Sequence, residues 1–566
     1  HNTLWPTSQQ LTMWPEEPDP STWRGLDLTE LEVDEAYLNI TSLSPQVYLY
    51  SLSADCHRCP YSLTGVVHQH RVFTINTKHS TSWRLYSRTD NIIDVNDTRL
   101  LECEVFPTDV GQFGVYDLIH NNSNCSFDTA SPPVNIYYSL ILVCCFLLGL
   151  SFFAAVISLR KLYKDDGDDD GARTTKRSRV RSLDTFRGLT LVLMVFVNDG
   201  AGGYWFLEHA TWHGLLVADV LFPWFMWIMG VCIPISIRSQ FKRGTPRYTM
   251  FLNTLQRACT LFLLGLMLNT VTAGPELSSL RVFGVLQRFG IVYLLVSSLS
   301  VFLTHRPTPD HKQKPTPGLL SDIVTLSPQW IVVLAVLAVH SYLVYYVPIP
   351  GCPLGYLDAG GIQDMGLYSN CTGGVSRYVD ELLVGEGHLY QVPTVSSVYH
   401  TAPLDPEGIL GCLTSVVQVF LGVQAGTTLL SYSGCRDRVT RWVVWGIVCG
   451  ALALALVFLV DIPINKNLWT ISYVFATSSL AFFLFAVCYL LIDHFVFWNG
   501  SPFIYPGMNS ILVYVGHTVC YQMFPWHWRL QTMNTHLMLT VEAVWGTALW
   551  VAVSYWLYTK HCFISV

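Results

Sequence analysis

The feature that most constrains this chain is a succession of apolar runs of bilayer length. Eleven can be counted, at Ile136–Leu159, Leu183–Val197, Leu215–Ile237, Phe251–Val271, Phe283–Leu303, Trp330–Val347, Ile409–Leu430, Val443–Val460, Trp469–Ile492, Met508–Met523 and Leu537–Leu557. A helix needs about 20 apolar residues to cross the hydrocarbon of a bilayer. Composition agrees: 51% of the 566 residues are hydrophobic and 13% charged, against about 25% charged in a soluble domain. The net charge of -7 and the lack of a long basic stretch argue against a nucleic-acid partner.

The first 135 residues hold no run long enough to span. Alternating stretches such as Gln46–Leu52 and Ser82–Tyr86 predict short strands. The opening HNTLWPTSQQ has neither a basic nor an apolar leader segment, so a removed signal peptide is the expectation. Cys56, Cys59, Cys103 and Cys125, with glycosylation sequons at Asn39, Asn96, Asn121 and Asn124, indicate an oxidising compartment. Cys352 and Cys371 flank a further sequon, Asn370, in the long loop 351–406. These six cysteines allow three bridges; Cys352 with Cys371 would staple the loop, and the other four can pair in three ways. An intermolecular bond is equally compatible with an even count.

Arg160, Lys161 and Lys164, an acidic run, and then Arg173 to Arg181 follow the first span, so the positive-inside rule puts this linker in the cytosol. Arg238 to Arg247, Arg306 to Lys314, Arg436 to Arg441 and Lys560 then fall on the same side, as does the Asn499 sequon, which is expected to stay unmodified. The expected fold class is a polytopic α-helical membrane protein with about 11 transmembrane helices and an N-terminal mostly-β luminal domain. Its expected divisions are a luminal domain at 1–135, a first helix at 136–159, a cytosolic linker at 160–182 and a ten-helix domain at 183–566.

Chemistry concentrates between Arg181 and Arg238. Two apolar runs there are joined by a Gly-rich hinge carrying Asn198, Asp199, Glu208, His209 and His213, with Asp219 just inside the second run. Ionisable groups at membrane depth persist when they pair or line a watery cavity, so they mark a candidate site. His209 and His213 stand at i, i+4, but no HExxH motif or nearby Cys accompanies them, and no metal is expected.

RSLDTFRGLTLVLMVFVN (181–198) and FLEHATWHGLLVADVLFPWFMWIMG (206–230) resemble the heparan-α-glucosaminide N-acetyltransferase family of lysosomal transmembrane enzymes. So do RVFGVLQRFGIVY (281–293), LDPEGILGCLTSVVQVFLGVQAG (404–426), PINKNLWTISYV (463–474) and PGMNSILVYVGH (506–517). The resemblance implies acetyl transfer from cytosolic acetyl-CoA to the amine of a terminal non-reducing glucosamine of heparan sulfate in the lysosome. It implies His209 as the active-site histidine, Asn198 as a residue acting with it and Asp219 as the nearby acid.

Arg187, Arg257, Gln287, Arg288, Asn509 and His517 are the intramembrane polar residues expected to face acetyl-CoA, as co-substrate and without metal. Asp405, Glu407, Lys466 and Asn467 are expected at the luminal mouth, where carboxylates suit an ammonium sugar and a lysine suits a sulfate. The expected partners are heparan sulfate, acetyl-CoA and membrane lipid, with a homodimer as the assembly. A proton-coupled transporter is the alternative reading, since many spans with midplane polar residues also describe a carrier.

Overall fold

The structure, a computed structural model, describes residues 22–121, 124–165, 180–274, 276–304, 318, 320–530 and 533–564. Most of the expected cytosolic linker, and Arg306, Lys312 and Lys314, lie outside the described residues.

Strand-forming alternation governs the N-terminal region. In Glu35–Ser42 and His70–Asn76, Leu38, Ile40, Phe73 and Ile75 point inward while Asn39, Thr74 and Asn76 point out. A four-stranded sheet, in the order Asn124–Ser131, Val115–Asn121, Glu35–Ser42, His70–Asn76, faces a five-stranded one built on Val47–Ser53. Between them lies an apolar core including Leu49, Trp83, Tyr116 and Leu118. Both expected strand segments are present, as Val47–Ser53 and Thr81–Tyr86. Cys103 pairs with Cys125, joining the two sheets; Cys56 pairs with Cys59 and Cys352 with Cys371. Of the sequon asparagines, Asn96, Asn121, Asn124 and Asn370 are exposed. Asn39 is half-buried, and its amide nitrogen donates to Asp117 Oδ1 at 2.7 Å.

The helices are α1 (Tyr137–Asp165), α2 (Arg181–Asn198), α3 (Val217–Lys242), α4 (Arg247–Ala273), α5 (Val285–Leu303), α6 (Ser321–Thr325), α7 (Ser327–Tyr346) and α8 (Val375–Val384). They continue with α9 (Thr394–Tyr399), α10 (Ile409–Ser431), α11 (Cys435–Leu459), α12 (Ile471–Tyr489), α13 (Ile504–Met508), α14 (Ser510–Val519) and α15 (His536–Thr559). Among the described residues, eight are long and apolar enough to cross a membrane: α3, α4, α5, α7, α10, α11, α12 with its extension to His494, and α15.

The other three expected spans fall on helices that miss that measure. The apolar part of α1 is Tyr137–Phe153, α2 carries Arg181, Asp184 and Arg187, and α14 has only 10 residues. The span expected over Met508–Met523 is interrupted because Asn509 leaves helical geometry and its amide binds the C-terminal segment, donating to Cys562 O and accepting from Ile564 N.

Glycines set the tightest crossings. A Cβ on Gly230 of α3 would collide with Val419 O of α10, and one on Gly422 of α10 with Trp227 O of α3. Gly188 of α2 and Gly507 of α13 make the same kind of mutual approach. In lipid, helices associate by such close packing. Gly230→Val should therefore cost about 1–3 kcal/mol of overpacking, read as a lower thermal midpoint in detergent. Gly149→Val on α1, where a Cβ would meet nothing, should leave the midpoint unchanged.

Candidate active site

The hinge after α2 unwinds because Gly200, Gly202 and Gly203 take left-handed backbone, at φ of 95°, 74° and 78°. Gly202 also lies where a Cβ would strike the Thr540 side chain of α15. The chain then returns through Trp205 to His209 and enters α3, whose first turn presents Asp219.

Asp219 is fully buried and accepts three hydrogen bonds: from His209 Nδ1 at 2.8 Å, Ala210 N at 3.1 Å and Leu216 N at 3.0 Å. Carboxylates are favoured at a helix N-terminus, where free N–H groups and the helix dipole meet. With Nδ1–H donating to Asp219, Nε2 carries the free lone pair. Lys466 Nζ stands 3.1 Å from Nε2 and 3.0 Å from Nδ1. Burial, reinforced by the Lys466 charge, holds the His209 pKa below its ordinary value against the opposing pull of Asp219. Burial also lowers the Lys466 ammonium's pKa, against Asp219 and Glu407.

His213 is occupied differently. Its Nε2 lies 3.1 Å from Asp358 Oδ1 and its Nδ1 3.4 Å from Asn465 Nδ2. Asp358 also accepts from Arg58 at 2.5 Å, so His213 helps tie the long loop to the N-terminal domain. Of the two hinge histidines, His209 keeps a ring nitrogen toward an amine.

Asn198 contacts His517 instead of His209: its Nδ2 donates to His517 Nε2 at 2.9 Å, and His517 Nδ1 donates to Val513 O at 3.2 Å. Asn198, His209 and His213 nevertheless line one cavity of about 1160 Å³, walled on its other side by the N-terminal domain. A second cavity of about 300 Å³ lies among the helices, lined by Arg187, Met194, Phe222, Arg257, Phe289 and Tyr514, among others. Met194 and Asn198 are about one turn apart on α2, so a single helical turn of α2 separates the two spaces.

The remaining expected positions divide. Arg187 and Arg257 line the inner cavity, Arg187 donating to Gly507 O at 3.1 Å and Arg257 lying over Tyr293. Gln287 is buried against Gly265 and Gly284 and lines neither cavity described here. Arg288 packs on Trp469 and donates to Pro406 O and Gly408 O, and Asn509 holds the C-terminal segment; neither lines the inner cavity.

Asp405 and Glu407 share one ion-pair partner, Arg281, at 2.7 Å from each. Asn467 donates to Thr211 O at 3.4 Å. Sequence reasoning missed the Arg281 ion pairs and the contact of Lys466 with His209. Nothing in local spacing indicates a lysine 257 positions away.

Residues 179–309, which contain α2, the hinge and α3, match the family described as "Heparan-alpha-glucosaminide N-acetyltransferase, catalytic". Over 600 residues the chain is 37% identical to the human heparan-alpha-glucosaminide N-acetyltransferase, covering 95% of this chain and 89% of that protein. The mouse protein of the same name is 36% identical over 613 residues, covering 97% and 91%. The chain belongs to the heparan-alpha-glucosaminide N-acetyltransferase family. It is a membrane acetyltransferase, and the transporter alternative finds no support in these relatives.

For such an acetyltransferase the two neighbours of His209 have opposite effects on its protonation. Removing the Lys466 charge raises the His209 pKa, so Lys466→Met should move the acid limb of the rate profile to higher pH. Removing the Asp219 charge lowers that pKa, so Asp219→Asn should move the limb to lower pH. Asp219→Asn should also reduce kcat by about 10²–10⁴, because the tautomer is no longer fixed. A pH–rate series on both variants checks the signs.

Proposed function

We propose that this protein transfers acetyl from acetyl-CoA to the amine of a terminal α-glucosamine of heparan sulfate, across the lysosomal membrane. The observation that carries the reading is the His209 ring, whose Nδ1 is held by the buried Asp219 carboxylate while Nε2 is left to accept a proton beside the Lys466 ammonium, in the wall of the large cavity. An imidazole so placed can take the proton of an acceptor amine as general base.

The N-terminal domain, its disulfides and its exposed sequons suit the luminal side. Arg238, Lys242, Arg243 and Arg247 cluster at the junction of α3 and α4, the opposite end of α3 from His209, and suit the cytosolic side. The inner cavity fits the donor in chemistry: Phe222, Phe225, Phe289 and Met194 suit the pantetheine arm, and Arg187 and Arg257 suit phosphates.

In the proposed step His209 Nε2 removes the amine's proton as the nitrogen attacks the thioester carbonyl. The amide C–N bond forms, the C–S bond breaks, and the thiolate leaves as CoA. The Lys466 ammonium, beside His209, and the second N–H of Asn198, in the lining of the same cavity, are the donors we assign to the oxyanion; loss of one such donor costs about 10²–10³ in rate in other acyl-transfer enzymes.

Sealed vesicles test this reading, with labelled acetyl-CoA outside and glucosamine inside. The parent should accumulate labelled N-acetylglucosamine inside, and His209→Ala should lose at least about 10²-fold of that rate. Near-normal turnover in the variant would overturn the assignment of His209. Label retained on acid-quenched parent protein would replace the base with an acetyl-carrying histidine.

A further inference from the structure

The cavity that His209 lines is larger than one amino sugar requires. At about 1160 Å³ it passes the upper end of the range of about 300–1,000 Å³ usual for small-molecule sites. Its far wall belongs to the N-terminal domain, where the period-2 alternation of Tyr61–Val67 and His70–Asn76 turns Thr64, Thr74 and Asn76 outward as Phe73 and Ile75 turn in. Between that wall and His209 stands Trp205, in the same lining and 38% exposed although it is a large aromatic residue. The described contacts of its ring are His79 at 5.9 Å and Phe206 at 5.8 Å between centroids.

The charges along this wall are matched among themselves. Lys78 donates to Glu208 at 2.6 Å, and Asp55 accepts from Thr211 at 2.6 Å with His79 3.9 Å away. These contacts also brace the hinge against the domain. The groups they leave for a ligand are the Trp205 face, the Thr74 hydroxyl, the Asn76 side-chain NH2, whose Oδ1 already accepts from Lys78 N at 2.8 Å, and, as an acceptor only, the Thr64 hydroxyl, which donates to Ser51 Oγ at 2.7 Å. That set suits a pyranose ring, whose C–H face packs on an indole while its rim exchanges hydrogen bonds.

We infer that Trp205, Thr64, Thr74 and Asn76 form a second saccharide subsite, which holds the sugar unit next to the reacting one and makes the N-terminal domain a determinant of glycan-chain preference. The inference rests on the proposed acetyl transfer to a terminal amino sugar and adds a separate place for the unit behind it. A monosaccharide acceptor does not reach this subsite; a glucosamine-terminated oligosaccharide does.

The test compares glucosamine with a glucosamine-terminated tetrasaccharide as acceptors for the full chain in membranes. Trp205→Ala and the double variant Thr74→Ala/Asn76→Ala should each raise KM for the tetrasaccharide by about tenfold, the scale of one lost ring contact with its hydrogen bonds. The kcat for the tetrasaccharide and both constants for glucosamine should hold. Trp205→Phe, which keeps a ring, should recover most of the tetrasaccharide KM.

Unchanged tetrasaccharide KM in both variants would overturn the subsite. An equal loss with both acceptors would also overturn it, by showing that these residues serve the fold or the reacting centre. His209→Ala serves as the separate control: should it keep activity with both acceptors, the acetyl-transfer assignment falls whatever the subsite variants do.

Discussion

The buried Asp219 carboxylate is the interaction on which the rest of the structure depends. Placed in the first turn of α3, it gathers the ring of His209 and the backbone of Ala210 and Leu216 onto one group. A charge at that depth is tolerable because three donors are turned toward it. The same contacts fix the path of the hinge and the tautomer of the imidazole. Structure and chemistry are therefore held by a single set of hydrogen bonds.

Around this centre the chain supplies two kinds of support. From the helices come the glycine crossings of α3 with α10 and of α2 with α13, which keep the walls of the inner cavity close. From the domain side come Lys78 to Glu208, Asp55 to Thr211 and Arg58 to Asp358, which hold the hinge and the long loop together. His209 consequently faces the larger cavity while the inner cavity begins about one turn away along α2. In the proposed transfer, this arrangement is what would let a charged nucleotide and a charged glycan approach from different sides without either crossing hydrocarbon.

Much of this was legible in the sequence because the signals are local. Apolar runs of bilayer length mark the helices, and the run of glycines after Asn198 marks the break that exposes the hinge. His209 and Asp219 are ten residues apart, within reach of one reading frame of motif and spacing. What escaped was long-range. Arg281 pairs with both Asp405 and Glu407 from more than a hundred positions away, and Lys466 meets His209 across 257. Arg288 and Asn509 read as polar residues in apolar spans and were expected to face acetyl-CoA, yet neither lines the inner cavity. Local spacing could not say that their partners are the backbone carbonyls of Pro406 and Gly408 and the C-terminal segment at Cys562 and Ile564. Asn198, expected to act with His209, has its amide against His517, 319 positions away.

The central claim is that one imidazole stands where donor and acceptor meet. It is tested most directly by the structure of the full protein bound to a non-hydrolysable acetyl-CoA analogue. The account predicts the analogue's thioester-equivalent carbon within reach of the acceptor position beside His209 Nε2, about 3–3.5 Å from where the attacking nitrogen would sit. The nucleotide should lie toward Arg187 and Arg257, on the side away from the N-terminal domain. An analogue seated with its acyl group remote from His209, or with its nucleotide entering past the N-terminal domain, would contradict it.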